Sequence, residues 1–196
     1  MTDSSFLSLV PHPNAPSGVV RRVAARAEPA GPDLLRIHYV LEADLRDVRV
    51  PSPAAVAARA DNLWTHTCFE AFVGLAGSPR YLELNFSPSG QWAAYRFESY
   101  RQGMAPAELD AVPRLTVHRG RERLELQAEV RLSAMALFRG TVSDAPPDRR
   151  LRIALSTVVE DREGRLSYWA LGHPPGQPDF HHTDSFSLTL ELPATL

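Results

Sequence analysis

The chain has 196 residues, 44% of them apolar and 22% charged, with a formal net charge of −2; this suits one ordinary globular domain and leaves no electrostatic footprint for nucleic acid or a membrane surface. All 21 basic residues are arginine, which excludes Schiff-base lysine chemistry, a Walker-type phosphate loop and a Lys–Ser dyad. The single cysteine, Cys68, excludes an intrachain disulfide and a multi-cysteine zinc site.

The N-terminus, MTDSSFLSLVPHPNAPSG, lacks the basic start and apolar core of a secretory signal. No stretch reaches the ~20 apolar residues of a membrane helix, so a cytoplasmic protein is expected. Residues 1–18 are expected as an extended lead-in in which Phe6, Leu7 and Leu9 pair as a short edge strand, with the folded domain spanning 19–196. Val19–Ala27, the PAGPD turn and LLRIHYVLEADL make a hairpin, Leu35, Ile37, Tyr39 and Leu41 sharing a face of its second strand. AAVAARA, residues 54–60, is long enough for one helical turn. Three strands follow, Trp64–Val73, Tyr81–Ser87 and Gln91–Phe97, joined by turns at GLAGSPR and SPSG into an antiparallel meander.

Beyond a loop, APAELDAVP, another hairpin pairs Arg114–His118 with Arg123–Arg131 and points Leu124, Leu126, Ala128 and Val130 inward. SAMALF at 133–138 has the makings of a helical turn capped by Ser133. LRIALSTVVE and LSYWAL are strands about the turn DREG, HPPGQPDFHHTDS is a polar loop, and Phe186–Leu192 closes the chain with Phe186, Leu188, Leu190 and Leu192 inward. Nine or ten short strands with little helix predict an all-β, single-domain antiparallel β-sandwich.

Three runs carry a resemblance: LWTHTCFEAFV, then YLELNFSPSGQWAAYRFESYRQGM, then SYWALGHPPGQPDFHH. Together they resemble bacterial DOMON-like domains, in the superfamily of family 9 carbohydrate-binding modules, over about Val20 to Leu192. The resemblance implies a β-sandwich whose concave sheet holds a small ligand, a sugar or a haem. Trp64 to Glu70 and Asn85 to Gly90 correspond to the sugar-binding runs; no Met–His pair for haem is assigned.

The residues themselves point the same way. Read in twos, Trp64, His66, Cys68, Glu70 and Phe72 share one strand face, a mixture suited to a ligand-facing surface. Trp64, Trp92, Tyr95, Tyr168 and Trp169 are candidates to stack on sugar rings, or to pack a core. Glu83, Asn85 and Ser87 alternate with Leu82, Leu84 and Phe86, as a solvated face or as hydroxyl partners converging with Glu70 and His66. Arg96 is a donor for an anionic group.

The late loop offers His173, Asp179, His181 and His182 as metal ligands, as groups lining the ligand site, or as structural polar groups of the loop; adjacent His181 and His182 cannot both reach one ion from a regular strand, and no metal is assigned. Cys68 and His66 lie two positions apart on the expected strand face; side chains so placed are roughly 7 Å apart, too far for a catalytic pair.

These residues support a non-catalytic domain binding a small saccharide-like ligand through Trp64, His66, Glu70, Glu83, Asn85, Trp92, Arg96, His173 and His181. In a cytoplasmic protein, a sugar nucleotide or cell-wall precursor suits better than a polysaccharide. The alternatives are an enzyme using Glu70, Glu83 and His66 on a sugar derivative, a haem-binding redox module, and a partner-binding domain with a flat apolar patch.

Overall fold

The computed structural model describes residues 5–31, 33–109, 111–131 and 150–192. The helical turn expected at 133–138 lies outside them. Among the described residues, twelve strands form a curled antiparallel sheet that folds over as a β-sandwich.

One layer holds β2 (Val20–Pro29), β3 (Leu34–Ala43), β9 (Arg123–Arg131) and β8 (Arg114–Arg119) side by side. The other holds β7 (Ala105–Pro106), β6 (Trp92–Phe97), β5 (Tyr81–Phe86), β4 (Cys68–Leu75), β10 (Arg150–Glu160) and β11 (Leu166–Ala170). The short β12 (Leu188–Glu191) pairs with the first half of β10. β1 (Leu7–Pro11) corrects the expected edge strand: its first half pairs with β2 and its end with β11, so it links the layers.

Period-two alternation builds the core. Leu35, Ile37, Tyr39 and Leu41 of β3 and Leu124, Leu126, Ala128 and Val130 of β9 are fully buried against Phe69, Leu82, Leu84, Phe86 and Leu155 of the facing layer. Each buried leucine contributes about 1.5–3 kcal/mol relative to its exposed state. Tyr39 sits among these apolar groups because its hydroxyl donates to the Glu70 backbone carbonyl at 2.6 Å.

Two expected elements differ. AAVAARA forms no helix; Ala54 and Ala60 donate backbone hydrogen bonds to Ser89 and Trp92, drawing the segment alongside the β5–β6 hairpin. The strand expected from Trp64 begins only at Cys68. Asn62 takes a left-handed conformation, φ 60°, and opens a 3-10 turn over Leu63–Thr65, with Thr65 Oγ1 donating to the Asn62 carbonyl at 2.7 Å. At the other end, Phe186 packs on the outer face of the β4 layer, whereas Leu188, Leu190 and Leu192 pack toward the interlayer core.

Every residue of β4 and of β5 is buried, including Glu70, Glu83 and Asn85. One face of these strands is covered by the other layer. The polar face is covered as well, and what covers it forms the site.

Candidate functional site

The outer face of the β4 layer carries a second apolar cluster, built from Phe72 of β4, Tyr81 of β5, Tyr95 and Phe97 of β6, Ala154 and Val158 of β10, and Phe180 of the late loop. A cavity of about 530 Å³ opens over this face. Trp64, Phe97, Tyr168 and Phe180 supply aromatic walls, and Glu70, Glu83, Arg101 and His181 supply the charged and titratable groups.

Local structure sets each wall. The turn after Asn62 swings Trp64 onto Tyr95, with ring centroids 5.6 Å apart in an edge-on contact. Tyr95 is held in turn by its hydroxyl, which donates to Asp61 Oδ1 at 2.6 Å, and by the Arg59 guanidinium over its ring. Tyr168 and Phe180 meet edge-on, 6.1 Å apart, on the other side.

The floor is a polar row across three strands. Ser156 of β10 stands opposite Glu70 of β4, and Glu70 opposite Asn85 of β5; Ala170 and Ala93 flank the row. Glu70 is 3% exposed and Asn85 0%. Glu70 Oε1, Asn85 Oδ1 and Ser156 Oγ are buried without a hydrogen-bond partner among the described residues. Asn85 Nδ2 donates to Glu83 Oε1 at 2.8 Å.

Burial, then the nearby charge of Glu83, pushes the Glu70 carboxyl well above the usual carboxylate range. Burial also raises Glu83, although the Asn85 hydrogen bond and Arg101 oppose the shift. His181 is lowered to about 4, chiefly by burial and then by Arg101, so its imidazole is neutral at pH 7. Arg101 N–H donates to the Tyr81 hydroxyl at 3.2 Å, and that hydroxyl lies 2.9 Å from His181 Nδ1. With Tyr81 donating onward, the other ring nitrogen carries the proton and faces Glu83 Oε2 at 3.6 Å. That separation is too long for a hydrogen bond.

The nine residues marked in the sequence divide. Trp64, Glu70, Glu83 and His181 line the cavity, and Asn85 stands opposite Glu70 on the neighbouring strand without lining it. His66 does not join them: the strand that would have aligned it starts two residues later, and its Nδ1 meets Glu160 Oε2 at 2.7 Å. Trp92 faces the interlayer core, since it alternates with the cavity-facing Ala93 and Tyr95. Arg96 shares the Trp92 parity and pairs with Glu98 at 3.2 Å. His173 packs edge-on to His12 and meets the Val10 carbonyl at 2.9 Å.

Phe97, Arg101, Phe180 and Ser156 were missed. Strand parity from Tyr95 and Glu70 could have found Phe97 and, through pairing, Ser156; Arg101 and Phe180 lie in loops whose course has no local signal. Cys68 is buried with its thiol pushed up by burial, and its sulfur lies 3.7 Å from the Phe86 carbonyl. Among the described residues, no three of His, Cys, Asp or Glu gather to hold a metal ion. His181 meets the Tyr81 hydroxyl at the cavity, whereas His173 lies behind the wall, its ring 6.2 Å from that of Phe180.

This arrangement shares its fold with carbohydrate-binding domains. A candidate carbohydrate-binding protein from Bacteroides uniformis superposes with a TM-score of 0.68 at 17% identity, over 95% of this chain and 85% of that one. A family 9 carbohydrate-binding module from Caldicellulosiruptor kristjanssonii, in complex with glucose, superposes with a TM-score of 0.54 at 9% identity, over 99% and 86%. The same module in complex with cellotriose gives 0.54 at 10%, over 99% and 85%. No protein-family model matches the chain, and no curated protein does.

Proposed function

We propose that the cavity over β4, β5 and β10 binds a small saccharide-like ligand without altering it. The observation that carries this is Glu70, which lines the cavity with a buried oxygen lacking a partner among the described residues, between Ser156 and Asn85, whose buried oxygens lack one too. Leaving such an atom unsatisfied costs about 1–3 kcal/mol, a cost that ligand hydroxyls would relieve. Above that floor, Trp64 and Tyr168 present aromatic surface for the C–H faces of a sugar ring. The shared fold with modules solved around glucose and cellotriose supports the ligand class.

Calorimetric titration of the wild type and of Trp64→Ala with glucose and cellotriose tests this. Saturable heat in the wild type, weakened in the variant, supports it; a lack of binding by any mono- or oligosaccharide tried would sink it.

One observation favours a second reading. Glu70 and Glu83 both line the cavity with carboxyls raised by burial, a pairing that suits acid–base work on a glycosidic bond. His66 takes no part, being held at Glu160. Release of nitrophenol from aryl glycosides, abolished by Glu83→Gln, would establish catalysis. Haem fits the site poorly: His181 and Met104 line the cavity, but His181 is engaged by Tyr81 on one nitrogen and faces Glu83 with the other.

A further inference from the structure

Two carboxyl groups, Glu70 and Glu83, line the cavity, and the basic groups beside them are engaged elsewhere or neutral. Glu70 has no hydrogen bond or ion pair from its side chain among the described residues. The arginine that lines the cavity, Arg101, is engaged elsewhere: its Nη2 and Nε reach Asp179 Oδ1 at 2.7 and 3.2 Å. His181, the other basic group at the floor, is neutral at pH 7. Arg96 lies on the opposite strand parity and pairs with Glu98. The cavity therefore holds two acids without a committed positive partner, enclosed by Trp64, Phe97, Tyr168 and Phe180. Carboxylates at the base of an aromatic enclosure suit an ammonium group, which pairs with the acid and rests against ring faces.

We propose that the ligand carries a protonated amine, with an amino sugar as the substrate class, its ammonium set between Glu70 and Glu83 and its ring against Trp64 or Tyr168. The amino-sugar assignment rests on the saccharide reading above; the ammonium assignment rests on the floor alone. An anionic sugar, such as a sugar phosphate or nucleotide, would meet the two acids with Arg101 already engaged by Asp179.

Without a ligand, burial favours the protonated form of Glu70. An arriving ammonium group stabilises the carboxylate instead, so the Glu70 proton passes to the buffer. A neutral sugar accepts or donates hydrogen bonds at Glu70 without that release.

The test is calorimetric titration at pH 7 with glucosamine, glucose, N-acetylglucosamine and 1,5-diaminopentane, repeated in phosphate and Tris to count protons. Glucosamine is expected to bind at least about tenfold more tightly than glucose or N-acetylglucosamine, as one desolvated ion pair warrants. Its heat should change with buffer, and its advantage should shrink to within about threefold in Glu70→Gln and Glu83→Gln. Thermal melts confirm that each variant is folded, and the wild-type ranking stands without them. Glucose or N-acetylglucosamine binding as tightly as glucosamine overturns the amine and leaves the saccharide reading intact. Diaminopentane binding with no sugar binding keeps the ammonium site and removes the sugar. No binding by any of the four overturns both.

Discussion

Ser156 and Glu70 stand opposite each other on β10 and β4, both buried, and neither Ser156 Oγ nor Glu70 Oε1 has a hydrogen-bond partner among the described residues. Folding alone does not reward that arrangement: a buried acid without a partner must be neutralised, and the proton costs free energy at pH 7. Glu70→Gln removes the titration and keeps the shape. It is expected to raise stability by about 1–2 kcal/mol at pH 7, or roughly 2–8 °C in Tm, while weakening ligand binding.

The sign with pH follows from the raised Glu70 pKa. Its favourable contribution is complete below the ordinary carboxylate range and is lost as pH rises toward the folded-state value. The Tm difference between variant and wild type should therefore widen from pH 4 to pH 8 in calorimetric scans. A variant that melts lower than wild type at pH 7 would show Glu70 to be stabilising.

The two tryptophans of the central segment separate binding from packing. Trp64 is part-buried at the cavity, whereas Trp92 is 7% exposed in the interlayer core, its Nε1 without a partner among the described residues. Trp64→Ala is expected to weaken ligand binding about tenfold, a loss of about 1.4 kcal/mol. Trp92→Phe should cost roughly 1 kcal/mol of stability and leave affinity within about twofold, because its indole donor satisfied nothing. Denaturant titrations with parallel binding curves check both. Ligand-induced changes in tryptophan fluorescence should vanish in Trp64→Phe and persist in Trp92→Phe.

Alternation made much of the sandwich legible. β3 and β9 read correctly because each buries one face in a continuous apolar core, so side-chain chemistry tracks orientation. β5 was ambiguous for a physical reason: its Glu83 and Asn85 are as polar as a solvated face, yet loops distant in sequence bury them. The same parity separates Trp92 and Arg96 from Tyr95 and Phe97, a distinction available from spacing alone. His66 misled because alternation continued through residues that turn instead; Asn62 in its left-handed conformation breaks the strand with no apolar signal. The loop placing Phe180 and His181 depends on contacts with β5, β6 and β11 that no local pattern records.

His181 makes the stability pH-dependent in the opposite direction to Glu70. Its pKa is lowered to about 4 by burial, below the ordinary value near 6.5. The unfolded chain therefore takes up the proton first as pH falls. The stability held by the neutral imidazole is complete above about pH 6.5 and is lost progressively toward pH 4, on the order of 3 kcal/mol in all. His181→Gln keeps a polar group near Tyr81 but does not titrate. Denaturant unfolding from pH 7.5 to 4.5 should show the gap between wild type and variant narrowing as pH falls; a constant gap would place the His181 pKa near its ordinary value.

Asp179 is the clasp between the late loop and the β6 hairpin end. Its carboxylate accepts from Arg101 Nε and Nη2, from the His181 backbone N–H at 3.0 Å and from the Tyr100 hydroxyl. Burial works against its charge, but the Arg101 and Tyr100 hydrogen bonds outweigh it and leave the pKa lowered. Asp179→Asn removes the ion pair while keeping the volume, at an expected cost of about 1–2 kcal/mol. The released guanidinium is then free to act more strongly on Glu83, on which Arg101 already acts electrostatically. An occupied Glu83 is a poorer partner for a ligand ammonium, so glucosamine affinity should fall by more than glucose affinity in paired titrations. Faster limited proteolysis within residues 173–185 should accompany the loss, because the loop keeps Phe180 and His181 in place through this contact. Equal losses for the two sugars would mean that Asp179 acts on loop order alone and leaves the charge balance of the floor unchanged.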